Sequence, residues 1–398
     1  MVVASCTNPA GAGRPGGSPG QGSASVGNPQ QVAAIQSIMR DAIPTYHLQS
    51  IIVRATIDGK ALHTGAMGES MTGVPATPDM HFRNGAVAFT YLGTMLLQFV
   101  DQKRLSLDDK LSKFLPALPN ADQISLKMLA NMTSGYADYV YEPEVMDGTN
   151  LNPFRQWTSE ELIGIGTSKP MFFAPGTNWA YSHTNYVILG RVLEKVAERP
   201  MAQLMKQYIL NPLGLTQTQS AATAQVAQPV LHSFTSERRT SLGVPPGVPF
   251  YEESTFWNPS WTTAEGAVQT TDIADLCTTA ETVGTGKLLS PASHRTQIAT
   301  DLIGFGHAVA GCSACHMNTT ALSYGIGVLL QGRWITQNKL FAGSGATMGY
   351  LPSKKLAVAV VTTYAPAAFD SQGNYKDATP KLFSMLAQAL APDQALPS

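Results

Sequence analysis

The residues best suited to chemistry by type and spacing are Cys312, Cys315 and His316. Two cysteines separated by two residues can close a disulfide or hold half of a zinc site, and a following His matches the c-type haem attachment pattern. We favour a local disulfide, formed in an oxidised compartment. A zinc site would have to recruit His307 or His316, and the chain has no second Cys pair or His-x-x-x-His to complete four ligands. Haem is least favoured, because the motif lies inside a globular segment with no evident axial-ligand loop.

A serine nucleophile is harder to find. The chain has one Gly-x-Ser-x-Gly, at residues 16–20, but this lies in a tail rich in small residues instead of a strand-turn-helix. Nowhere does it contain Ser-x-x-Lys, in which a Lys one helical turn after a Ser helps to remove the hydroxyl proton. Cys277 lies in a helix-like stretch and is interpreted as a buried apolar thiol. These patterns predict neither a bound metal nor a cofactor.

The elements that must position any site can be read from the hydrophobic pattern. Apolar residues at helical spacing predict a helix over residues 31–44, and alternation predicts strands over 50–57 and 60–67 around an Asp58-Gly59 turn. A buried helix is predicted over 86–103. Further strands are predicted at 322–330, 333–336, 342–345 and 356–363, before a last helix at about 380–391.

Strands at both ends of the chain flank a middle that is mostly helical. We therefore predict an α/β (α+β) fold in which both ends build one antiparallel sheet flanked by helices, with a helical subdomain inserted. The domain would span residues 31–395. Its sheet subdomain would comprise about 31–104 and 285–395, and its helical subdomain about 105–284.

Composition limits the partners. The 398 residues carry 26 Lys and Arg against 27 Asp and Glu, with no long basic run, so nucleic acid is not expected as a partner. Residues 1–30 are rich in Gly, Pro, Ser and Ala and are predicted to form a flexible tether. At its head, Val3-Ala4-Ser5-Cys6 resembles a bacterial lipoprotein box, with Cys6 as the lipidated residue; the alternative is a chance match. No apolar run reaches the length of a membrane-spanning helix, so we expect membrane attachment through the lipid.

Five blocks of the chain together resemble the serine β-lactamase and D-alanyl-D-alanine carboxypeptidase family, especially its class C and esterase-like branch. They include Met132-Thr133-Ser134-Gly135, Pro175-Gly176-Thr177 and Tyr181-Ser182-His183. Their order and spacing agree with the family over roughly residues 31–390. In chain order, the blocks lie at residues 82–91, 105–116, 124–135, 173–183 and 343–350. The resemblance implies a β-lactamase/transpeptidase-like fold and an ancestry in acyl transfer.

The catalytic positions of that family are degenerate here. The resemblance places Ala86 where the nucleophilic Ser stands and Phe89 where the Lys stands. Tyr181 occupies the position of the general-base Tyr, and His183 that of the Asn which holds the substrate amide. In the third motif Gly343 replaces the Lys or His, while Ser344 and Gly345 remain. The backbone N–H groups of Ala86 and Ala346 are expected to be the oxyanion donors.

Three functional hypotheses follow. The first is a catalytically inactive, lipid-anchored protein of the bacterial cell envelope whose cleft binds a peptide, a glycan or a protein. The second is an esterase, peptidase or β-lactamase with displaced residues, in which Thr90, at i+4 from Ala86, acts with Tyr181 or His183 as base. The third is a metal or redox function centred on Cys312, Cys315 and His316.

Overall fold

The computed structural model describes residues 28–220 and 223–397. Cys6 and most of the predicted tether therefore lie outside the described residues. Asn28 accepts a hydrogen bond from the Gln30 backbone N–H and caps the first helix, which begins at Pro29.

The framework is an eight-stranded sheet with the order β3-β2-β1-β13-β12-β11-β10-β9, and its strand pairs are antiparallel. Both chain ends contribute to it, as predicted, because β1 pairs with β13. The strands are β1 Leu48–Ile57, β2 Lys60–Met71, β3 Val74–Pro75, β4 Phe82–Arg83, β5 Gln219–Ser220, β6 Phe234–Thr235, β7 Glu252–Glu253, β8 Gln269–Thr271, β9 Ser323–Tyr324, β10 Leu329–Gln331, β11 Trp334–Phe341, β12 Ser344–Leu351 and β13 Leu356–Tyr364.

The predicted hairpin between β1 and β2 is present. Asp58 and Gly59 have φ values of 49° and 73°, the left-handed conformation that a tight two-residue turn requires. The predicted strand at 342–345 is only partly correct, because Ala342 and Gly343 form the turn between β11 and β12.

Helices cover both faces of the sheet. On one face α1 and α11 pack against β1 and β13, and on the other α9 packs against β12, β13 and β1. The helices are α1 Pro29–Thr45, α2 Val87–Asp101, α3 Leu126–Ala130, α4 Pro143–Leu151, α5 Ser159–Ser168, α6 His183–Ala197, α7 Met201–Met205, α8 Asn211–Leu213, α9 Ile273–Thr285, α10 Pro291–Gln297 and α11 Thr379–Leu390.

The insertion between β4 and β9 is mostly helical, but its expected end is displaced. The expected boundary placed residues 105–284 in the helical subdomain, whereas α9 lies on the sheet, so the sheet subdomain resumes near Ile273. The reason is packing: Leu276, Cys277 and Ala280 of α9 are buried and belong to the same apolar core as Ala357, Ala359 and Val361 of β13. Within the described part of the chain, no helix is both long and apolar enough to span a membrane.

Candidate functional site

The N-terminal end of α2 is held where a nucleophile would be presented. Just before it, Phe82 and Arg83 pair with β8, and the Asn84 side chain exchanges hydrogen bonds with Gln269, one from Asn84 Nδ2 to Oε1 at 2.7 Å. Ala86 then caps the helix without any side-chain hydrogen bond. The fold therefore presents a methyl group, which has no nucleophilic atom, at the start of this buried helix.

Phe89 fills the space one turn below Ala86. Its ring is fully buried and stacks on Tyr186 with centroids 4.3 Å apart and planes 13° apart. The rings of His183 and Tyr181 lie 5.4 and 5.8 Å away. The contacts of Phe89 are therefore those of a core aromatic residue, and no proton acceptor occupies this position.

Tyr181 sits in a setting that keeps its phenol protonated. Burial is the main cause that raises its pKa well above the ordinary value, and the neighbouring Tyr324 and Asp138 raise it further. A tyrosine base needs a nearby positive charge to stabilise its phenolate. With Phe89 in contact with it instead of a lysine, Tyr181 is a poor base.

His183 is held by a carboxylate. Its Nδ1 lies 2.9 Å from Oδ2 of Asp138, whose side chain is almost fully buried, and Asp138 also accepts a hydrogen bond from the Val140 backbone N–H. The pair orients the imidazole against the Tyr181 ring, with centroids 5.3 Å apart. An Asp–His pair of this kind can orient a catalytic base. Here, however, the imidazole packs against the rings of Phe89 and Tyr181 instead of facing a nucleophile. Asp138 was not among the residues predicted from sequence, because it lies 45 positions from its partner.

Thr90 has a structural partner. Its hydroxyl is fully buried and donates to the Gly327 carbonyl at 2.6 Å. Gly327 itself lies so close to α2 that a Cβ there would be 2.3 Å from the Phe89 carbonyl oxygen. The hydroxyl thus joins α2 to the segment between β9 and β10 and faces no open site.

The residues assigned to the third motif lie in the turn between β11 and β12, where Gly343 stands, and at the start of β12, where Ser344 and Gly345 stand. Gly343 has φ 72°, and a Cβ at this position would be 1.9 Å from the Phe234 carbonyl oxygen, so no larger residue fits. A Cβ on Gly345 would meet Asp377 and Thr379. The expectation that Ala346 donates an N–H from an edge strand is wrong, because β12 is paired on both sides, with Lys339 opposite Ala346 on β11 and Val361 opposite it on β13.

The free edge lies one strand further out. β10 pairs with β11 only as far as Thr336, so beyond that residue β11 pairs with β12 on its inner side and with no described strand on its outer side. Gln337 and Asn338 line a cleft of about 490 Å³ together with Trp179, Tyr181 and other residues, and we call this the Tyr181 cleft. Sequence reasoning missed both amides because the predicted strand ended at residue 336.

The Cys312–Cys315 segment supports one side of the same cleft. The two cysteines form a disulfide, so their thiols are not free to bind zinc or haem. Cys315 forms a β-bridge with Ala180, and His316 packs edge-on against Trp179 with centroids 4.5 Å apart. In residues 28–220 and 223–397, no cluster of three His, Cys, Asp or Glu side chains is arranged to hold a metal ion.

Comparison with solved structures matches this architecture over most of the chain. A D-stereospecific amidohydrolase from Streptomyces sp. superimposes with a TM-score of 0.71 and 23% identity, covering 92% of this chain and 99% of that one. The D-amino acid amidase of Ochrobactrum anthropi SV3, complexed with D-phenylalanine, also gives 0.71, with 20% identity, 90% of this chain and 99% of that one. These likenesses establish the fold, which is that of β-lactamases and transpeptidases.

Sequence comparison identifies the family. Penicillin-binding protein 4 of Amycolatopsis lactamdurans is 30% identical over 187 residues, which is 45% of this chain and 46% of that protein. Esterase EstB of Burkholderia gladioli is 25% identical over 46% of this chain and 50% of its own length. The chain thus spans about half the length of these curated relatives. The family model described as Beta-lactamase matches residues 33–379, and the chain therefore belongs to the β-lactamase family.

Proposed function

We propose that this chain is a non-hydrolytic member of the β-lactamase family that acts by binding. One observation carries the proposal: Ala86 stands at the start of α2, with the ring of Phe89 stacked on Tyr186 below it. Acyl transfer by this family needs a hydroxyl nucleophile and a nearby base. Neither side chain supplies such a group, and the raised pKa of Tyr181 argues against a substitute base.

The Tyr181 cleft is the proposed binding site. Its volume of about 490 Å³ lies within the range of about 300–1,000 Å³ usual for small-ligand sites. Tyr181 offers aromatic surface and Asn338 offers an amide donor and acceptor, while the Gln337 amide is engaged by the Gly327 carbonyl and the Asn338 backbone N–H. This combination suits a peptide, a glycan or a segment of a protein partner. The names of the relatives, among them penicillin-binding proteins and a D-alanyl-D-alanine carboxypeptidase, make cell-wall fragments the first probes to use.

We place the protein outside the cytoplasm of a bacterium, as a lipoprotein anchored through Cys6. The Cys312–Cys315 disulfide supports an oxidised compartment. The Val3-Ala4-Ser5-Cys6 pattern supports the lipid anchor. Radiolabelled palmitate incorporation in a bacterial host, compared between the wild type and Cys6→Ala, tests it; equal labelling of the two would refute the anchor.

A hydrolysis assay tests the inactive assignment. The purified protein is passed over a size-exclusion column, and each fraction is assayed for hydrolysis of a chromogenic cephalosporin and a short-chain nitrophenyl ester. The intact mass of the protein is also recorded after incubation with penicillin. We expect no turnover in the protein peak and no acyl adduct. Hydrolysis that follows the protein peak across fractions would overturn the proposal.

A binding assay tests the cleft separately. Soluble peptidoglycan fragments are titrated into the wild type, Asn338→Ala and Gln203→Ala while binding is measured by calorimetry. Asn338 lines the cleft, whereas Gln203 is exposed on α7 and serves as the control. We expect Asn338→Ala to weaken binding at least fivefold and Gln203→Ala to leave it unchanged. Equal affinity of the two variants would place binding elsewhere.

The alternative of a displaced serine-hydrolase mechanism has less support. Its proposed nucleophile, Thr90, is buried, and its hydroxyl donates a hydrogen bond to the Gly327 carbonyl, not to Tyr181 or His183. Any hydrolysis found in the wild type would be assigned by comparing it with Thr90→Val. Loss of that hydrolysis in the variant would revive this alternative.

A further inference from the structure

Lys339 is a charged residue in an apolar setting. It lies on the free edge of β11, yet only 2% of its surface is exposed. Its Nζ donates to the Ser344 hydroxyl at 2.7 Å and stands 5.7 and 5.9 Å from the ring centroids of Phe82 and Phe341. In the described part of the chain no carboxylate forms an ion pair with it. A lysine buried in this way is costly unless something neutralises its charge.

Arg83 brings a second buried cation to the same place. Its residue surface is 6% exposed, and its Nη2 donates to the Ala224 carbonyl at 2.6 Å. Its Nε and Nη1 are buried and have no hydrogen-bond partner among the residues that the structure describes. Unmade hydrogen bonds of a buried guanidinium are expensive, so these two donors call for an acceptor.

The two cations line one small cavity. Its free volume is about 20 Å³, enough for about one water-sized particle, and its lining contains no Asp or Glu. Hydroxyl groups complete the polar part of the wall. The polar lining consists of Arg83, Lys339, Ser233, Ser254, Thr255 and Ser344.

We propose that this cavity is a binding site for one small monovalent anion, with chloride as the occupant that fits its size. Arg83 Nε and Nη1 supply two donors, and the Lys339 ammonium supplies a third beside its bond to Ser344. A bound anion would neutralise the buried charge and satisfy the unpaired donors at once. Larger oxyanions and the substrates of the family do not fit this volume.

The pKa values of the two cations that line the cavity are both lowered, which agrees with a lack of negative charge beside them. Burial is the main cause that lowers the pKa of Lys339 to about 7; Arg83 lowers it further, while Asp377 raises it. Burial likewise lowers the pKa of Arg83 to about 10. Asp377 is already engaged, since its Oδ1 accepts hydrogen bonds from the Tyr364 hydroxyl at 2.6 Å and the Thr379 backbone N–H at 2.9 Å.

The contact between Lys339 and Ser344 also resembles that between a catalytic base and its nucleophile, but the size of the cavity argues against this interpretation. Ser344 is 4% exposed, and the cavity cannot hold an acyl group together with its leaving group. The site is also separate from the Tyr181 cleft, since the two share no lining residue. A failed test of anion binding would therefore not contradict the proposed function, and a failed test of the proposed function would not contradict anion binding.

Chloride binding can be measured on the whole protein. Thermal unfolding is recorded at constant ionic strength while chloride replaces gluconate, which is too large for the cavity; formate is tested in parallel as the smallest carboxylate. ³⁵Cl NMR line broadening gives a second, direct readout. The variants are Lys339→Met, which keeps the side-chain length without the charge, and Lys381→Met, an exposed lysine on α11, as the control.

We expect chloride to raise the unfolding temperature of the wild type and of Lys381→Met, and to broaden the chloride resonance with both. Lys339→Met should lose both effects. A response to formate but not to chloride would contradict the assignment of chloride as the occupant. An equal chloride response in Lys339→Met and the wild type would overturn the proposal, as would labelling of Ser344 by a fluorophosphonate.

Discussion

Phe89→Ala should destabilise the protein strongly, because Phe89 fills the place of a catalytic group with packed apolar surface. Its side chain is fully buried, belongs to the largest apolar core and stacks on Tyr186. Truncating a fully buried Phe typically costs about 3–5 kcal/mol, which combines lost burial with the cavity left behind. We expect a loss of stability in that range.

Urea unfolding, followed by both tryptophan fluorescence and circular dichroism, measures this loss. Two probes are needed because a chain of this size can unfold in more than one step. The matched control is Phe154→Ala, since Phe154 is 61% exposed and its removal should change stability by no more than about 0.5 kcal/mol. A loss below about 1 kcal/mol for Phe89→Ala would refute the view that Phe89 is a packing residue.

The same variant offers a second readout. Apolar cavities made by truncation stay dry and bind small aromatic molecules. The cavity left by Phe89→Ala would be bordered by the rings of Tyr181, His183 and Tyr186. We expect phenol or benzene to raise the unfolding temperature of this variant and to leave that of the wild type unchanged.

Three further substitutions and treatments have defined outcomes. Thr90→Val should cost about 0.5–1.5 kcal/mol in urea unfolding, because the buried Gly327 carbonyl loses the Thr90 hydroxyl and keeps only the hydrogen bond from Gln337 Nε2. Lys339 has a folded pKa of about 7 against an ordinary 10.5, so the unfolded chain binds the proton more tightly between these values and stability rises with pH there. In chloride-free buffer, that rise should be about 2 kcal/mol larger between pH 7 and 9 for the wild type than for Lys339→Met, and parallel profiles would contradict it. Reduction should add two hydrogen masses to the intact protein through Cys312 and Cys315, whereas a zinc or haem mass would contradict the disulfide.

Local patterns predicted the framework because they depend on neighbours in sequence. The Asp58-Gly59 turn and the alternation around it specify the β1–β2 hairpin, and the apolar run after Ala86 specifies α2. The second half of β11 escaped prediction because Gln337, Asn338 and Lys339 form a polar run. Buried amides and a buried lysine are rare enough that such a run is normally interpreted as exposed loop.

The site depends on contacts between distant residues, which one sequence cannot display. Asp138 and His183 meet across 45 positions, and Lys339 and Arg83 line one cavity from distant parts of the chain. The position of Gly343 illustrates the same limit. Its motif match suggested a lost cation, whereas the structure has a two-residue turn in which a Cβ would collide with Phe234.

Restoring the nucleophile alone should not restore chemistry, because the substitutions at positions 86 and 89 support each other. A lysine at position 89 would bury an ammonium group among the rings of Tyr181, His183 and Tyr186, and without a Ser hydroxyl at position 86 it would lose a hydrogen-bond partner. Phe89 carries no such charge. The pKa of Tyr181, which burial raises, is therefore not lowered by a cation at position 89. Ala86→Ser should therefore stay unlabelled by a fluorescent penicillin, since no base would be in place to activate the new hydroxyl. Labelling of this single variant would mean that a base other than residue 89 is at work, and it would contradict the assignment of Tyr181 as a protonated, non-catalytic phenol.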